Sequence, residues 1–359
     1  MTARDMIIPF FIAHQGCPHR CIYCNVNKIA GESPERISED TFRETLHTYL
    51  THTGKKRGSV QVAFYGGNFT GLEKEYQHEL LGFVTPFIRK GLVRDVRIST
   101  RPDNIDGDRL SLLMASGVTT VEIGAQSFVD EVLKTSQRGH SASDVKNAVK
   151  MLKEKGFKTG IHLMAGLPGD SRSGFEYSVD ETVSLKPDMV RIHPTVVFQD
   201  TPLADLCLSG NYTPLTLSEA IDLCKHALKK FSEVGIPVIR LGLQTNREME
   251  TEGSIIAGPF HPAFRSLVEE SLFFDMADSL LSNEDAEGKE VTFYLSPQDI
   301  ASFHGQKKGN TLSLKGMYRL KEIITAVDFT QERGTLVMSV NGRVGKMQRF
   351  GKSGRGTTG

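Results

Sequence analysis

The stretch GVTTVEIGAQSF, residues 117–128, contains the arrangement that decides the fold. Gly117 stands where a helix C′ glycine is expected, Val118–Ile123 is an apolar run of strand length, and a polar segment follows it. Similar apolar runs, each followed by a segment with helical spacing, are Ile7–Ala13, Val60–Phe64, Val96–Ser99, Thr159–Met164 and Met189–His193. Strands that alternate with helices favour a parallel sheet with right-handed crossovers. Six such units predict an α/β fold, namely a partial, TIM-like (β/α)6 barrel.

The ends of this predicted barrel are marked by local signals. One helix is predicted to begin at Ser38-Glu39-Asp40 and another at Ser143-Asp144, because a capping serine is followed by early acids. A seventh strand is predicted at Pro237–Gly242. After Gly253 the composition changes, so we predict a barrel domain over 1–255 and a small α+β domain over 256–359. We also expect a helix at about 263–281 and disorder from about residue 351.

Composition excludes several classes of protein. The chain has 359 residues, with 43 basic and 43 acidic side chains and five cysteines, three of them within eight residues. Such clustering is unlike the disulfide framework of a small secreted protein, so a reducing cytoplasm is expected. No uncharged apolar stretch approaches about 18 residues, and no membrane span is expected. The net charge of zero is unevenly distributed along the chain, because residues 301–359 carry 11 basic and only 3 acidic side chains.

Three cysteines follow the first predicted strand in the segment GCPHRCIYCN, residues 16–25. Cys17, Cys21 and Cys24 have the spacing C-x3-C-x2-C, which can bind three irons of a 4Fe–4S cluster and leave the fourth iron open. Zinc is an alternative metal, with His14 or His19 as a further ligand. Clustered structural cysteines are the third interpretation. Cys207 and Cys224 instead fall among apolar residues and are interpreted as core side chains.

The ends of the other predicted strands are polar or rich in glycine. In barrels of parallel strands the carboxyl ends of the strands meet at one rim, and active-site residues lie there. These ends are FYGGNFT at 64–70, STRPD at 99–103, GAQSF at 124–128, MAGLPG at 164–169 and HPT at 193–195. Gly66 and Gly67 would let the backbone approach a ligand closely. Each segment alone could be an ordinary βα turn, but five of them share the rim with the cysteines.

Together these motifs resemble the radical S-adenosylmethionine (SAM) enzymes. The three-cysteine loop with an aromatic residue before its last cysteine, here Tyr23, is the signature of that superfamily. The conjunction with FYGGNFT, STRPD, GAQSF, RGH at 138–140 and GLPG is most similar to the Elongator catalytic subunit and to oxygen-independent coproporphyrinogen oxidase. The resemblance covers about residues 6–245. It implies a 4Fe–4S cluster and SAM as cofactors, and an electron donor such as flavodoxin or ferredoxin.

The resemblance also implies roles for single residues. Cys17, Cys21 and Cys24 would bind the cluster. The residues implied to contact SAM are Tyr23, Gly66, Gly67, Thr100, Gln126 and Arg138. Many relatives have a glutamate where this chain has Asn68, so a charged contact is lost there. His162 is interpreted as a core or rim histidine, with SAM contact as the alternative, and no residue is assigned a catalytic proton transfer.

The substrate is not implied by the motifs. Residues 255–359 match no acetyl-CoA-binding domain, so the acetyl transfer of Elongator is not expected. RNA or tRNA is favoured by the nearest family and by the basic C-terminal region, with Lys307, Lys308, Lys315, Arg319 and Lys321 as the expected RNA-binding residues. A small-molecule oxidoreductase or methyltransferase, and a non-catalytic carrier of haem or of a cluster, are the alternatives.

Overall fold

The structure is a computed structural model of the chain. It describes residues 4–12, 15–25, 36–52, 57–243, 245–246, 249, 251–348 and 354–355. These residues form two compact units, the first from 1–216 with 236–260 and the second from 217–235 with 261–359.

The first unit is built on a seven-stranded parallel sheet in the order β1-β2-β3-β4-β5-β6-β8. Its strands are β1 (Arg4–Phe11), β2 (Arg57–Tyr65), β3 (Asp95–Thr100), β4 (Val118–Gln126), β5 (Lys158–Ala165), β6 (Met189–Pro194) and β8 (Val238–Leu241). The sheet curls into a TIM-like partial barrel, so the predicted fold class and the seventh strand are confirmed. A further pair, β7 (Val197–Phe198) and β9 (Ile255–Ala257), is antiparallel.

Helices connect the strands of the first unit. They are α1 (Glu39–His52), α2 (Lys74–Arg89), α3 (Gly107–Ala115), α4 (Asp130–Thr135), α5 (Ala142–Glu154), α6 (Arg172–Leu185) and α7 (Pro202–Leu208). At α1, Thr41 N donates to the Ser38 hydroxyl at 3.2 Å, as the sequence predicts. At α5 the cap is Ser141 rather than Ser143, because Ser141 and Asp144 form a reciprocal capping box.

The barrel strands divide their side chains between two faces. Apolar residues at alternate positions are fully buried, as in the pairs Val96/Ile98, Val121/Ile123, Ile161/Leu163 and Val190/Ile192. The residues between them are charged or polar, because successive side chains of a strand point to opposite faces. The sheet therefore presents a polar inner face, which we call the lumen.

The second unit is α+β. Its helices are α8 (Leu217–Glu233), α9 (Phe264–Leu281), α10 (Ile300–His304) and α11 (Gly309–Met317), and its sheet has the order β11-β10-β12-β13-β14. The strands are β10 (Glu290–Leu295), β11 (Glu322–Val327), β12 (Thr335–Val340), β13 (Arg343–Gln348) and β14 (Gly354–Arg355). Of the tail expected to be disordered, 354–355 pair with β13, and the rest lies outside the described residues.

The limits of the second unit differ from those of the predicted C-terminal domain. Helix α8 falls within the span predicted for the barrel domain, 1–255, and groups with α9 in the second unit. In the described part of the chain, no helix is long and apolar enough to cross a membrane.

Candidate functional site

The cysteine loop follows β1 and is fixed by backbone hydrogen bonds at both sides. Ile22 N donates to Ser136 O at the end of α4 at 3.3 Å, and Leu203 N at the start of α7 donates to Ile22 O at 2.9 Å. Cys17 is exposed, Cys21 is buried and Cys24 is partly buried, and none of the three is in a disulfide bond within the described residues. The loop thus holds three cysteine thiols at the carboxyl end of the sheet.

Asn68 clamps this loop to the neighbouring strand end. Its fully buried amide donates to Gly16 O at 2.6 Å and contacts the Asn104 side chain. Its carbonyl oxygen accepts from Thr100 Oγ1 at 2.6 Å and from Arg101 N at 3.2 Å. Asn68 therefore joins the cysteine loop to the STRPD segment, a positioning role that its neutral amide can fill because it both donates and accepts.

Two buried arginines lie beside the cysteines. Arg138 donates from Nη1 to Cys21 Sγ at 3.1 Å and from Nη2 to Gly124 O at 2.5 Å. Arg101 donates to Arg138 O at 2.5 Å and pairs with Asp103 at 2.9 Å. Although Cys17 is exposed by surface area, protein atoms around its sulfur partly desolvate it and raise the pKa of the thiol, and the charges of Arg101 and Arg138 act in the opposite direction. Positive charge is thus placed where bound thiolates would need it.

The remaining SAM candidates lie around the same rim. Gln126 has a positive φ of 70° and lies at an irregularity in the β4–β5 pairing, and such strain is typical of functional positions. Tyr23 is buried, and among the described residues its hydroxyl has no hydrogen-bond partner. The Thr100 hydroxyl is buried and already bonded to Asn68 and Thr70.

The two glycines after β2 have separate structural requirements. Gly66 has φ of 84°, which favours glycine. A Cβ on Gly67 would lie 2.3 Å from Ile12 O and 3.0 Å from Gln15 O. Glycine at position 67 is therefore required by the close approach of the β1 end and the cysteine loop, whether or not a ligand is bound.

The donor chemistry of the loop fits a cluster, because three cysteine thiols can each bind one iron of a 4Fe–4S cluster and a guanidinium contacts Cys21 Sγ. Among the described residues, no group of three His, Cys, Asp or Glu side chains converges on one metal-ion position. His14, one of the residues weighed for zinc, lies outside the described residues.

A second group of polar residues lies deeper in the lumen, and the sequence motifs do not reveal it. Glu122 on β4 is fully buried. It accepts from Arg97 Nη1 at 2.8 Å, from His162 Nε2 at 2.5 Å and from Arg191 Nη2 at 3.1 Å. Burial alone would raise the pKa of Glu122, but His162, Arg191 and Arg97 outweigh it and hold the pKa well below its usual range. We call Arg97, Glu122, His162 and Arg191 the lumen centre.

Two aromatic side chains border the lumen centre. Tyr65 accepts from Arg191 Nη2 at 2.8 Å, and the guanidinium lies 4.9 Å from its ring centroid. His193 packs edge-on to His162 with ring centroids 6.2 Å apart, and burial lowers the pKa of His193 to about 3. Its Nδ1 lies 3.2 Å from Gly242 O, so the neutral ring donates there and leaves Nε2 as an acceptor. His162, interpreted as a core or rim histidine, therefore belongs to an ion-pair centre.

The predicted RNA-binding residues of the second unit fall into two classes. Arg319 pairs with Glu287 at 3.2 Å, and Lys321 pairs with Glu290 at 2.9 Å. Among the described residues, no ion pair involves Lys307, Lys308 or Lys315. The positive patch is consequently smaller than the sequence count suggests.

Comparison with known proteins agrees with this architecture. The model of the radical SAM superfamily matches residues 11–182, and that of the radical SAM C-terminal domain matches 187–273. The tRNA uridine(34) acetyltransferase of Methanocaldococcus infernus is 28% identical over 249 residues, covering 59% of this chain and 47% of that protein. The heme chaperone HemW of Bacillus subtilis is 24% identical over 260 residues, covering 71% of this chain and 66% of that protein.

A solved structure shares the fold. The archaeal Methanocaldococcus infernus Elp3 with an N-terminal deletion superimposes with a TM-score of 0.58 at 23% identity, covering 76% of this chain and 63% of that one. The chain spans about half the length of the acetyltransferase relatives that it matches.

Proposed function

This chain belongs to the radical SAM superfamily, whose members use a 4Fe–4S cluster and SAM, and from that premise we propose that it cleaves SAM reductively. Cys17, Cys21 and Cys24 would each bind one iron, and SAM would occupy the fourth. When bound, this pair of cofactors supplies a 5′-deoxyadenosyl radical, which takes a hydrogen atom from the substrate. The observation that carries the proposal is the loop of three cysteines outside any disulfide, with the guanidinium of Arg138 donating to Cys21 Sγ.

The chain's own residues hold and orient the cofactors. Asn68 fixes the cysteine loop against the rim, and Arg138 donates to one thiolate, which stabilises its charged form. We assign Tyr23, Gly66, Gly67, Gln126 and Arg138 to the SAM site. Thr100 also belongs to it, but its hydroxyl is held by Asn68, so we assign it a positioning role.

We further propose that the substrate is an RNA, with tRNA as the first candidate. Two observations support this. Several relatives of the barrel are tRNA uridine(34) acetyltransferases, and the second unit has three lysines without ion pairs among the described residues. Phosphate contacts by such lysines would bind RNA with a steep dependence on salt.

The second candidate is a non-catalytic carrier of haem. The heme chaperone relative favours it, because its similarity extends over 71% of this chain, more than the 59% for the acetyltransferase. Production of 5′-deoxyadenosine separates the two candidates, because a carrier would bind haem without consuming SAM.

The first experiment is anaerobic reconstitution of the full chain with iron and sulfide, followed by assay of 5′-deoxyadenosine with flavodoxin or ferredoxin as electron donor. We expect about four irons per chain and SAM cleavage in the natural protein. The variant C17A/C21A/C24A should lose both. The matched control C207A/C224A removes cysteines outside the loop and should retain both. Full iron content in the triple variant would contradict the assignment.

A further inference from the structure

The lumen centre carries more positive charge than its single carboxylate can balance. Building on the proposed function, we propose that Arg97 and Arg191, held in place by Glu122, form a binding site for a compact oxyanion of the substrate, a carboxylate or a phosphate. The site lies on the inner face of the sheet, below the rim that holds the cysteines. The site would hold the charged end of the substrate, and the remainder of the substrate would extend toward the rim.

The charges of the lumen centre favour an anion. Arg97 and Arg191 are guanidinium groups at any physiological pH, and Glu122 is the acidic residue that both contact. Whichever protonation state His162 holds, the centre therefore has a surplus of at least one positive charge. The nearest further carboxylate in this network, Asp95, is reached through Gln61 and is already paired with Arg94 at 2.7 Å. A buried charge without a partner is costly, so the surplus favours an incoming anion.

The guanidinium of Arg191 also has N–H donors to offer a ligand. The contacts of Arg191 to Glu122 and Tyr65 use Nε and Nη2, and those of Arg97 use Nε and Nη1. Within the described residues, no hydrogen bond involves Nη1 of Arg191, and its buried Nε, although 2.5 Å from Glu122 Oε2, makes none either. Guanidinium edges of this kind bind carboxylate and phosphate oxygens in a bidentate manner.

The arginines of the lumen centre are partly exposed on the inner face of the sheet. Glu122 is fully buried, but the side chains of Arg97, His162 and Arg191 retain 10%, 17% and 18% exposure. The carboxylate therefore lies behind its partners, and the arginines face the lumen. Tyr65 adds a hydroxyl that is bonded to Arg191, and burial raises the pKa of Tyr65, so it brings no negative charge.

A purely structural ion pair would explain these contacts less well. A buried arginine–glutamate–arginine group often adds nothing to stability, because apolar residues in its place are neutral or stabilising. The surplus is consistent with a binding site that is completed by its ligand.

The test uses the cluster-loaded full chain under anaerobic conditions, with sodium acetate and inorganic phosphate as probes and sodium chloride at equal ionic strength as the reference. Each probe should raise the unfolding temperature beyond chloride, because a ligand that binds only the folded chain stabilises it. In R191Q the apparent affinity should fall at least about tenfold, or about 1.4 kcal/mol. R172Q, at an exposed arginine paired with Glu176, is the matched control and should bind like the natural protein.

Two further variants keep the test decisive if R191Q folds poorly. R191K retains the charge without the planar guanidinium and should bind more weakly than the natural protein. E122Q removes the competing carboxylate and should bind the probes more tightly, although it unfolds at a lower temperature. A preference for acetate identifies a carboxylate substrate, and a preference for phosphate identifies a nucleotide or RNA phosphate.

The outcomes also separate this inference from the proposed function. No shift by either probe at about 50 mM, or equal binding by R191Q and R172Q, overturns the anion site. Anion binding without any 5′-deoxyadenosine would instead overturn the proposed function and leave the anion site standing.

Discussion

The two units bury charge in different ways. The interior of the first contains a series of buried ionisable side chains, namely Asp95, Arg97, Arg101, Glu122, Arg138 and His140. The core of the second is a continuous apolar cluster around Phe273, Phe293 and Phe303, and its buried acids Glu269 and Asp299 both pair with Arg333. The second unit thus has a mostly apolar core, whereas the first buries ionisable groups at a cost in desolvation that only their mutual contacts offset.

The largest expected changes in the free energy of unfolding are those for substitutions of Glu122 in the first unit and Phe293 in the second. E122Q leaves two guanidinium groups without their carboxylate and should lower the free energy of unfolding by about 3–5 kcal/mol at pH 7. F293A should cost a similar 3–5 kcal/mol through the cavity it creates in the second unit. Urea unfolding of the full chain measures both.

The pH dependence of stability distinguishes the deficit of E122Q from that of F293A. The pKa of Glu122 is depressed in the folded chain, so its contribution is present above the unfolded value of about 4.3 and is lost as the pH falls below it. The deficit of E122Q should shrink between pH 5 and 3.5, whereas that of F293A should not follow this titration. A deficit of E122Q that stays constant with pH would show that Glu122 acts through packing alone.

Smaller changes in stability are expected for alanine substitutions of two glycines in the first unit. G67A places a Cβ against Ile12 O and should cost about 1–3 kcal/mol by overpacking, with a lower iron content because the cysteine loop is displaced. G82A lies on α2 with open space around it and should stabilise the chain by about 0.5–1 kcal/mol. Iron analysis and thermal unfolding of the pair check this. Normal iron content in G67A would mean that the loop tolerates the shift.

Measurements of tRNA affinity test whether the second unit has a function besides stability. The variant K307Q/K308Q/K315Q should lose about tenfold in tRNA affinity, or about 1.4 kcal/mol, and show a shallower salt dependence. K321Q, whose lysine is already paired with Glu290, is the control and should change little. Filter binding at about 50 and 200 mM salt measures both. Equal affinity of the two variants would remove the RNA role from this patch.

The smallest effect concerns His193. Its pKa of about 3 lies below the unfolded value of about 6.5, so the unfolded chain binds a proton that the folded chain does not. Stability therefore falls as the pH drops below 6.5, by about 1 kcal/mol between pH 6.5 and 5.5. H193N should remove that part of the slope, and H78N, at an exposed position of α2, should not. An unchanged slope in H193N would place the titration elsewhere.

The contrast between rim and lumen explains what the sequence could predict. The cysteines and rim motifs are contiguous, so their spacing carries their chemistry, and the strands are apolar runs that stand out from the chain. Glu122 contacts residues 25, 40 and 69 positions away, and no local pattern links them. A signal was nevertheless present, because Arg97, Glu122 and Arg191 are each single charged residues between two β-branched apolar neighbours.

Other features could not be foreseen for the same reason. The role of Asn68 depends on Gly16 and Thr100, and the neutralisation of Lys321 depends on Glu290, so both follow from folding. Helix α8 has an ordinary amphipathic pattern, which shows that it is buried on one side but not with which unit it groups.

The position of α8 has a consequence for synthesis on the ribosome. The helix belongs to the second unit, yet it is made before β8, the last strand of the barrel sheet. Its partner α9 begins only at Phe264 and ends at Leu281, 48 residues after α8 ends at Glu233. At roughly 5–20 residues per second, synthesis of that partner is complete about 2–10 s after that of α8. During this interval β8 leaves the ribosome, so the nascent chain can complete the barrel sheet before the second unit starts to fold.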